Sequence, residues 1–232
     1  MEPLHQNILA ATGTIVYVKF VIGGCDFAVS RNLLPPKISR KIIHIAAGSW
    51  LIFWPLFSED HWSWRLNILV PAIYSVQLFV QGAIIKNKED QDVKTMTRTG
   101  NPSELLFGPL FFTLIMNTMG LFFFRKEEAI FVMACLGFGD GLAPLAGEYF
   151  PFGMYPTFPF GPNDKKTLTG SLGFFCGSII GYYCLRFAAV NTSGDFESVL
   201  QISALCAVTE GISGIFDNIL VAIVAYFAST SL

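Results

Sequence analysis

Three acids lie where an apolar chain accommodates them least. Asp140, Glu210 and Asp217 all interrupt long apolar runs. A charged side chain at mid-span costs about 2.5–3.5 kcal/mol on insertion scales, so acids kept there face a polar cavity, a partner or an ion. Asp140 stands between Gly139 and Gly141, where bare backbone can come close to a ligand. Glu210 and Asp217 are seven residues apart, about two helical turns, and an unbroken helix would carry both on one face. Asn218 adds a neutral oxygen beside them. A second group of polar residues runs Asn163, Asp164, Lys165, Lys166, Thr167 and leads straight into an apolar run at Leu168. Thr167 or Thr169 can cap the helix that starts there, leaving backbone N–H groups next to Gly170 and Ser171. A helix N-terminus with adjacent lysines is a ready phosphate site, although the GxxxxGK[ST] pattern is absent and an ordinary basic loop with a capped helix fits the same residues. Arg40 and His44, one turn apart, open another apolar run and can face one pocket. Glu104 opens a further run after the turn Gly100–Ser103.

The chemistry these residues suit is phosphoryl transfer. Carboxylates hold Mg²⁺ through oxygen ligands, while lysines and helix amides neutralise charge on a transferring phosphoryl group. The bland alternatives are buried hydrogen bonds between helices for Glu210 and Asp217, with Lys19 as a possible partner, and solvated positions for Asp26, His5 and His61.

The surrounding sequence is that of a membrane protein. Of 232 residues, 53% are hydrophobic and 14% charged, against about 25% charged in an average soluble domain. The apolar runs are long and continuous, which argues against a β-barrel. Seven runs emerge, near residues 8–29, 42–57, 66–85, 105–124, 129–146, 168–189 and 199–227. The expected fold is therefore an all-α, polytopic membrane bundle of about seven transmembrane helices in one domain covering 1–232. The second run is short, and the seventh is interrupted at Glu210–Gly214, so that helix is expected to break. Connections after the first, third and fifth runs carry ten Lys/Arg and the other side four, which puts the N-terminus outside and the basic loops on the cytosolic or stromal side. The candidate residues then fall at one membrane face or just inside it.

Other features read as structural. Trp50, Trp54, Trp62 and Trp64 surround one outer loop, as in an interfacial belt. Gly173, Gly177 and Gly181 make a smooth face for close helix packing. The five cysteines lie in or beside apolar runs and read as small buried hydrophobes. No metal-binding histidine set, nucleic-acid feature or internal repeat is present. The N-terminus has neither the basic n-region of a standard signal peptide nor an Arg/Ser-rich transit segment.

Five blocks carry a resemblance to a known family: RKIIHIAAG at Arg40–Gly48, NPSELLFGPL at Asn101–Leu110, GDGLAPLAG at Gly139–Gly147, KKTLTGS at Lys165–Ser171 and TEGISGIFDNIL at Thr209–Leu220. Their order and span, about 40–220, resemble the polyprenol kinases, with phytol and farnesol kinases nearer and dolichol kinase and CTP:phosphatidate cytidylyltransferase more distant. The resemblance implies Mg²⁺-dependent transfer of a phosphoryl group, typically from CTP, to an isoprenoid alcohol; the expected protein is a multi-pass integral membrane protein, of the chloroplast or endoplasmic reticulum if eukaryotic. By matching blocks, it implies that Asp140 is the nucleotide–metal acid, Lys166 and the 167–171 turn the phosphate cradle, and Glu210, Asp217 and Asn218 the membrane-side polar wall; Asp140, Lys166 and Asp217 are the expected catalytic residues, and Asp140, Glu210 and Asp217 the expected metal ligands. Lys165, Thr167, Thr169, Gly170, Ser171, Arg40 and His44 would bind phosphate or nucleotide, and Glu104 and Asn218 would lie on the substrate side. Asp140 or Asp217 could act as general base.

The chain departs from the family pattern in three ways. Its loop Glu148–Pro162 is longer and richer in Phe and Pro, Glu148 stands where a basic residue is common, and Ala143-Pro144 replaces Ala-Asp. Two other readings use the same residues: a cytidylyltransferase acting on a lipid phosphate, and an ion-coupled transporter with Glu210 and Asp217 as the relay. The one-sided polar groups and missing repeat weigh against the transporter.

Overall fold

The computed structural model describes residues 1–97, 99–157, 165–192, 194–214 and 216–231. Asp164 and residues 158–162 of the Phe/Pro-rich loop therefore lie outside the described residues. The described chain is almost wholly helical and forms two compact units, Met1–Phe122 and Phe123–Leu232.

The first unit begins with α1 (Pro3–Ser30), whose first-turn proline has no N–H to leave unsatisfied. Next comes α2 (Pro36–Gly48), which tightens into a 3₁₀ segment at Ser49–Leu56 containing Pro55. The second apolar run is thus not one straight span. A 3₁₀ turn at Trp62–Ile68 runs into α3 (Leu69–Phe79), which ends in a wider π-turn at Val80–Ile85. The short α4 (Gln91–Met96) and a 3₁₀ turn at Pro102–Leu106 precede α5 (Gly108–Phe122).

Buried polar side chains join these elements, as in bilayers where apolar contact alone does little to drive helices together. Asn7 on α1 is fully buried and donates to the Ser63 hydroxyl at 2.9 Å and the Ser58 carbonyl at 3.0 Å. Asn117 on α5 donates to Ser75 on α3 at 2.9 Å, and Ser75 donates to Thr113 at 2.9 Å. Trp50 and Trp54 are only 1% and 0% exposed, with the Trp50 indole donating to the Asn67 carbonyl at 2.9 Å. Only Trp62 is well exposed, so the tryptophan cluster is largely core and not a belt; two indoles pack edge to face at 5.2 Å where the sequence pattern showed only loop proximity.

In the second unit, α6 (Glu127–Met133), a π-turn at Ala134–Gly139 and α7 (Asp140–Tyr149) form one continuous helical rod. Two three-residue strands follow, β1 (Met154–Pro156) and β2 (Lys165–Thr167), paired antiparallel with Tyr155 opposite Lys166. Then come α8 (Leu168–Leu185), α9 (Phe196–Ile212) and α10 (Asp217–Ser229). Asp195 caps α9 by accepting from the Ser198 amide at 2.8 Å, which holds its carboxyl below the usual carboxylate range.

The glycine stripe of α8 is a packing seam. A Cβ on Gly177 would lie 2.7 Å from the Phe138 carbonyl oxygen, one on Gly173 2.5 Å from the Ala146 Cβ, and one on Gly181 2.8 Å from Phe138. Gly139 belongs to the same seam, because its Cβ would stand 2.4 Å from the Ser178 hydroxyl. Its small size therefore serves helix contact and not ligand approach. Of the cysteines, Cys25, Cys135 and Cys206 are buried, but Cys176 and Cys184 are exposed on α8.

Among the described residues, five helical segments are long and apolar enough to cross a membrane: Pro3–Ser30, Trp62–Ile85, Pro102–Phe122, Glu127–Tyr149 and Leu168–Ala188. The seventh apolar run is divided into α9 and α10, which confirms the expected break.

Candidate active site

The site is built around that break. The last turn of α9 holds Glu210, and α9 stops at Ser213, whose backbone is extended (φ −83°, ψ 137°) and whose hydroxyl donates back to the Thr209 carbonyl. Asp217 then opens α10, a position where the helix dipole favours an acid. In a straight helix, seven residues would separate Glu210 from Asp217 by about 10 Å along the axis. The break folds that distance away: carboxylate oxygens of Asp140, Glu210 and Asp217 all lie within 4.8 Å of one another.

Asp140 enters from the other side, immediately after the π-turn Ala134–Gly139. Such wide turns carry an extra residue that redirects the side chains beyond them, and they recur at functional sites. The rod continues nine residues past Asp140 to Tyr149, about 13 Å. The acid is thus recessed from the helix end, deeper than the run ending near 146 implied.

Lys166 supplies the countercharge. It sits at the centre of β2, and because strand side chains alternate, it points opposite to Lys165 and Thr167. Its ammonium donates to Glu210 Oε1 at 2.6 Å and to the Glu210 backbone carbonyl, and lies 3.8 Å from Asp217 Oδ2. It therefore also meets the negative end of α9, where terminal carbonyls need donors. Glu210 is 6% exposed. Two carboxylates 4.8 Å apart repel by about 3 kcal/mol at an effective dielectric of 20. Three of them against one lysine leave a surplus of negative charge that a divalent cation or a proton would offset.

The remaining candidates are placed as follows. Thr167 caps α8, its hydroxyl accepting from the Gly170 amide at 3.0 Å. The Leu168 amide donates to the carbonyls of Phe152 and Gly153 at 3.1 Å, the Thr169 hydroxyl donates to the Phe150 carbonyl, and the Ser171 hydroxyl lies 2.6 Å from the Tyr155 hydroxyl. The expected phosphate cradle is thus engaged with the hairpin segment. Lys165 is exposed and Asn218 lies in the first turn of α10 beside Asp217, whose Oδ1 accepts from the Asn218 amide at 2.8 Å. Arg40, His44 and Glu104 belong to the first unit. The His44 ring packs 4.3 Å from Phe112, and Glu104 accepts from the Thr99 amide at 3.2 Å and from its hydroxyl.

Tyr155 is the site-adjacent residue that sequence reasoning missed. Its two strands, three residues each, are too short for an alternating pattern to show.

Relatives of known assignment match most of this chain. A "Probable phytol kinase 1, chloroplastic" of Glycine max is 29% identical over 220 residues, covering 91% of this chain and 71% of its own length. "Phytol kinase 1, chloroplastic" of Arabidopsis thaliana is 28% identical, covering 86% of this chain and 67% of its own. "Farnesol kinase, chloroplastic" of Arabidopsis thaliana is 28% identical, covering 85% and 66%. Over most of its length the chain is thus similar to relatives named phytol kinase and farnesol kinase. No family model matches it, and no solved structure does. The acids and lysine gathered above all come from the GDGLAPLAG, KKTLTGS and TEGISGIFDNIL blocks.

Proposed function

We propose that the second unit carries the phosphoryl-transfer centre of an isoprenoid-alcohol kinase, with CTP as donor and phytol, farnesol or geranylgeraniol as acceptor. The observation that carries this reading is the convergence of Asp140, Glu210 and Asp217 on Lys166 at the broken helix. The donor set is all hard oxygen, which fits Mg²⁺, a cation usually held by one or two carboxylates plus substrate phosphates. Asp140 and Asp217 would hold it, since Glu210 is committed to Lys166. Its part, when bound, is charge neutralisation on the nucleotide phosphates.

The chain's own residues do the rest. Lys166 meets charge on the phosphoryl oxygens as the alcohol oxygen forms the new P–O bond and the bond to the CDP oxygen breaks. Asp140 or Asp217 takes the hydroxyl proton. Glu210 holds the lysine at the acids through its carboxylate and carbonyl. The relatives' names support a plastid membrane as the setting.

The test uses purified protein in detergent with labelled CTP and a panel of the three alcohols. An alcohol monophosphate with CDP is the expected product pair, and pyrophosphate would indicate cytidylyl transfer instead. Asp140→Asn should lower kcat/KM at least about a hundredfold with an unchanged thermal midpoint. No phosphorylated alcohol with any triphosphate, together with an Asp140→Asn protein indistinguishable from wild type, would overturn the reading.

A further inference from the structure

An isolated two-stranded hairpin is marginal in water, yet the strand that presents Lys166 is three residues long and pairs with another of three. Something must hold it at the correct height. Tyr155 and Lys166 are directly opposed across the ladder, so their side chains leave the same face of the hairpin. Lys166 reaches Glu210. Tyr155 reaches the neighbouring turn, where its hydroxyl meets the Ser171 hydroxyl on α8 at 2.6 Å. It passes over Gly211, the residue after Glu210, and a Cβ there would come within 2.7 Å of the Tyr155 oxygen. The bare backbone at Gly211 is what lets the ring fit. Further ties of the segment, Leu168 to Phe152 and Gly153 and Thr169 to Phe150, lie at the base of the hairpin.

We propose that Tyr155 is a positioning residue for Lys166: its hydroxyl, clasped to Ser171 over Gly211, sets the height at which the lysine meets Glu210 and Asp217. The proposal rests on the reading of Lys166 as the phosphoryl-facing cation. Tyr155 has no chemical step of its own in this reading. Its effect passes through the strand to the lysine, as expected of a group that orders a site from behind.

The test is a double-mutant cycle in the full chain, purified in detergent. Tyr155→Phe removes one hydroxyl and keeps the ring. It should lower kcat about fivefold, the scale of one hydrogen bond, and leave KM for the alcohol unchanged. In a Lys166→Ala background, Tyr155→Phe should have no further effect. Gly211→Ala should reproduce the Tyr155→Phe phenotype and not add to it. A Tyr155→Phe protein with wild-type kcat, or a full fivefold loss in the Lys166→Ala background, would overturn the proposal.

A second readout needs no turnover. The rate at which an amine-reactive acylating reagent labels Lys166, followed by mass spectrometry, should rise severalfold in Tyr155→Phe and in Gly211→Ala, while Lys165 labelling stays constant. If the wild-type chain phosphorylates no alcohol, the kinase reading fails, and the clasp is judged on this labelling alone: equal Lys166 labelling in wild type and Tyr155→Phe refutes it.

Discussion

Replacing Lys166 by alanine tests whether the three acids form a cation site or only a hydrogen-bonded cluster. The wild-type lysine lies 2.6 Å from Glu210 and 3.8 Å from Asp217, with Glu210 almost fully buried. Removing one partner of a buried ion pair costs about 3–5 kcal/mol. Lys166 is 23% exposed on its side chain, so the low end, about 3 kcal/mol, is the better figure. For a chain of this length about 1 kcal/mol shifts the midpoint by about 2–4 °C, so Lys166→Ala in EDTA should melt about 6–12 °C below wild type.

The informative step is then to add Mg²⁺. With the competing ammonium gone, the acids that remain within 4.8 Å of one another should bind the cation more tightly than in wild type. A tenfold excess over Kd returns about 1.4 kcal/mol, or about 3–6 °C. Thermal melts in detergent with EDTA, Mg²⁺ and Ca²⁺ read this without reference to activity. Equal Mg²⁺ responses in wild type and Lys166→Ala would refute competition between the lysine and the cation, and no response in either would refute the assignment of Asp140 and Asp217 to a divalent cation.

Two further substitutions probe the scaffold. Gly177→Ala puts a methyl 2.7 Å from the Phe138 carbonyl oxygen and should cost about 1–3 kcal/mol in overpacking. Its melt should fall by several degrees, and kcat should fall with it because Phe138 stands two residues before Asp140. Thr167→Ala removes the cap that accepts from the Gly170 amide and should cost about 1 kcal/mol; Thr167→Ser should restore the wild-type midpoint, and failure to do so would mean that the threonine acts through something other than its hydroxyl.

The membrane class and the identity of the acids were legible because both are written in single-residue costs. A carboxylate in an apolar run is anomalous wherever the chain goes, so Asp140, Glu210 and Asp217 could be picked out without a fold. The break of the last helix was legible for the same reason, since Gly211, Ser213 and Gly214 weaken the helix locally. What the sequence could not carry was the partner of each group. Lys166 falls on a three-residue strand, beside which Tyr155, Ser171 and Gly211 meet in space. The tryptophans misled because an indole beside a loop reads the same whether it faces headgroups or, like Trp54, the interior. Gly139 misled in a similar way: a glycine beside an acid suits a ligand and a helix crossing equally, and only the position of Ser178 on α8 decides between them.

The break in the last apolar run is therefore more than a flaw in a span. An unbroken helix would hold Glu210 and Asp217 about two turns apart, with each acid left to find its own partner in an apolar surrounding. Ending α9 at Ser213 exposes a negative helix end to Lys166, and starting α10 at Asp217 places that acid on a positive one. The same four-residue interruption thus offsets part of the cost of both acids and brings them to Asp140. Repair of the helix should separate these effects from composition. Converting Ser213 and Gly214 to alanine removes no acid, no lysine and no residue of the hairpin. If the site depends on the break, that variant should keep its helix content by circular dichroism while losing both Mg²⁺-dependent stabilisation and phosphoryl transfer. Retention of both would mean that the acids find one another without the break.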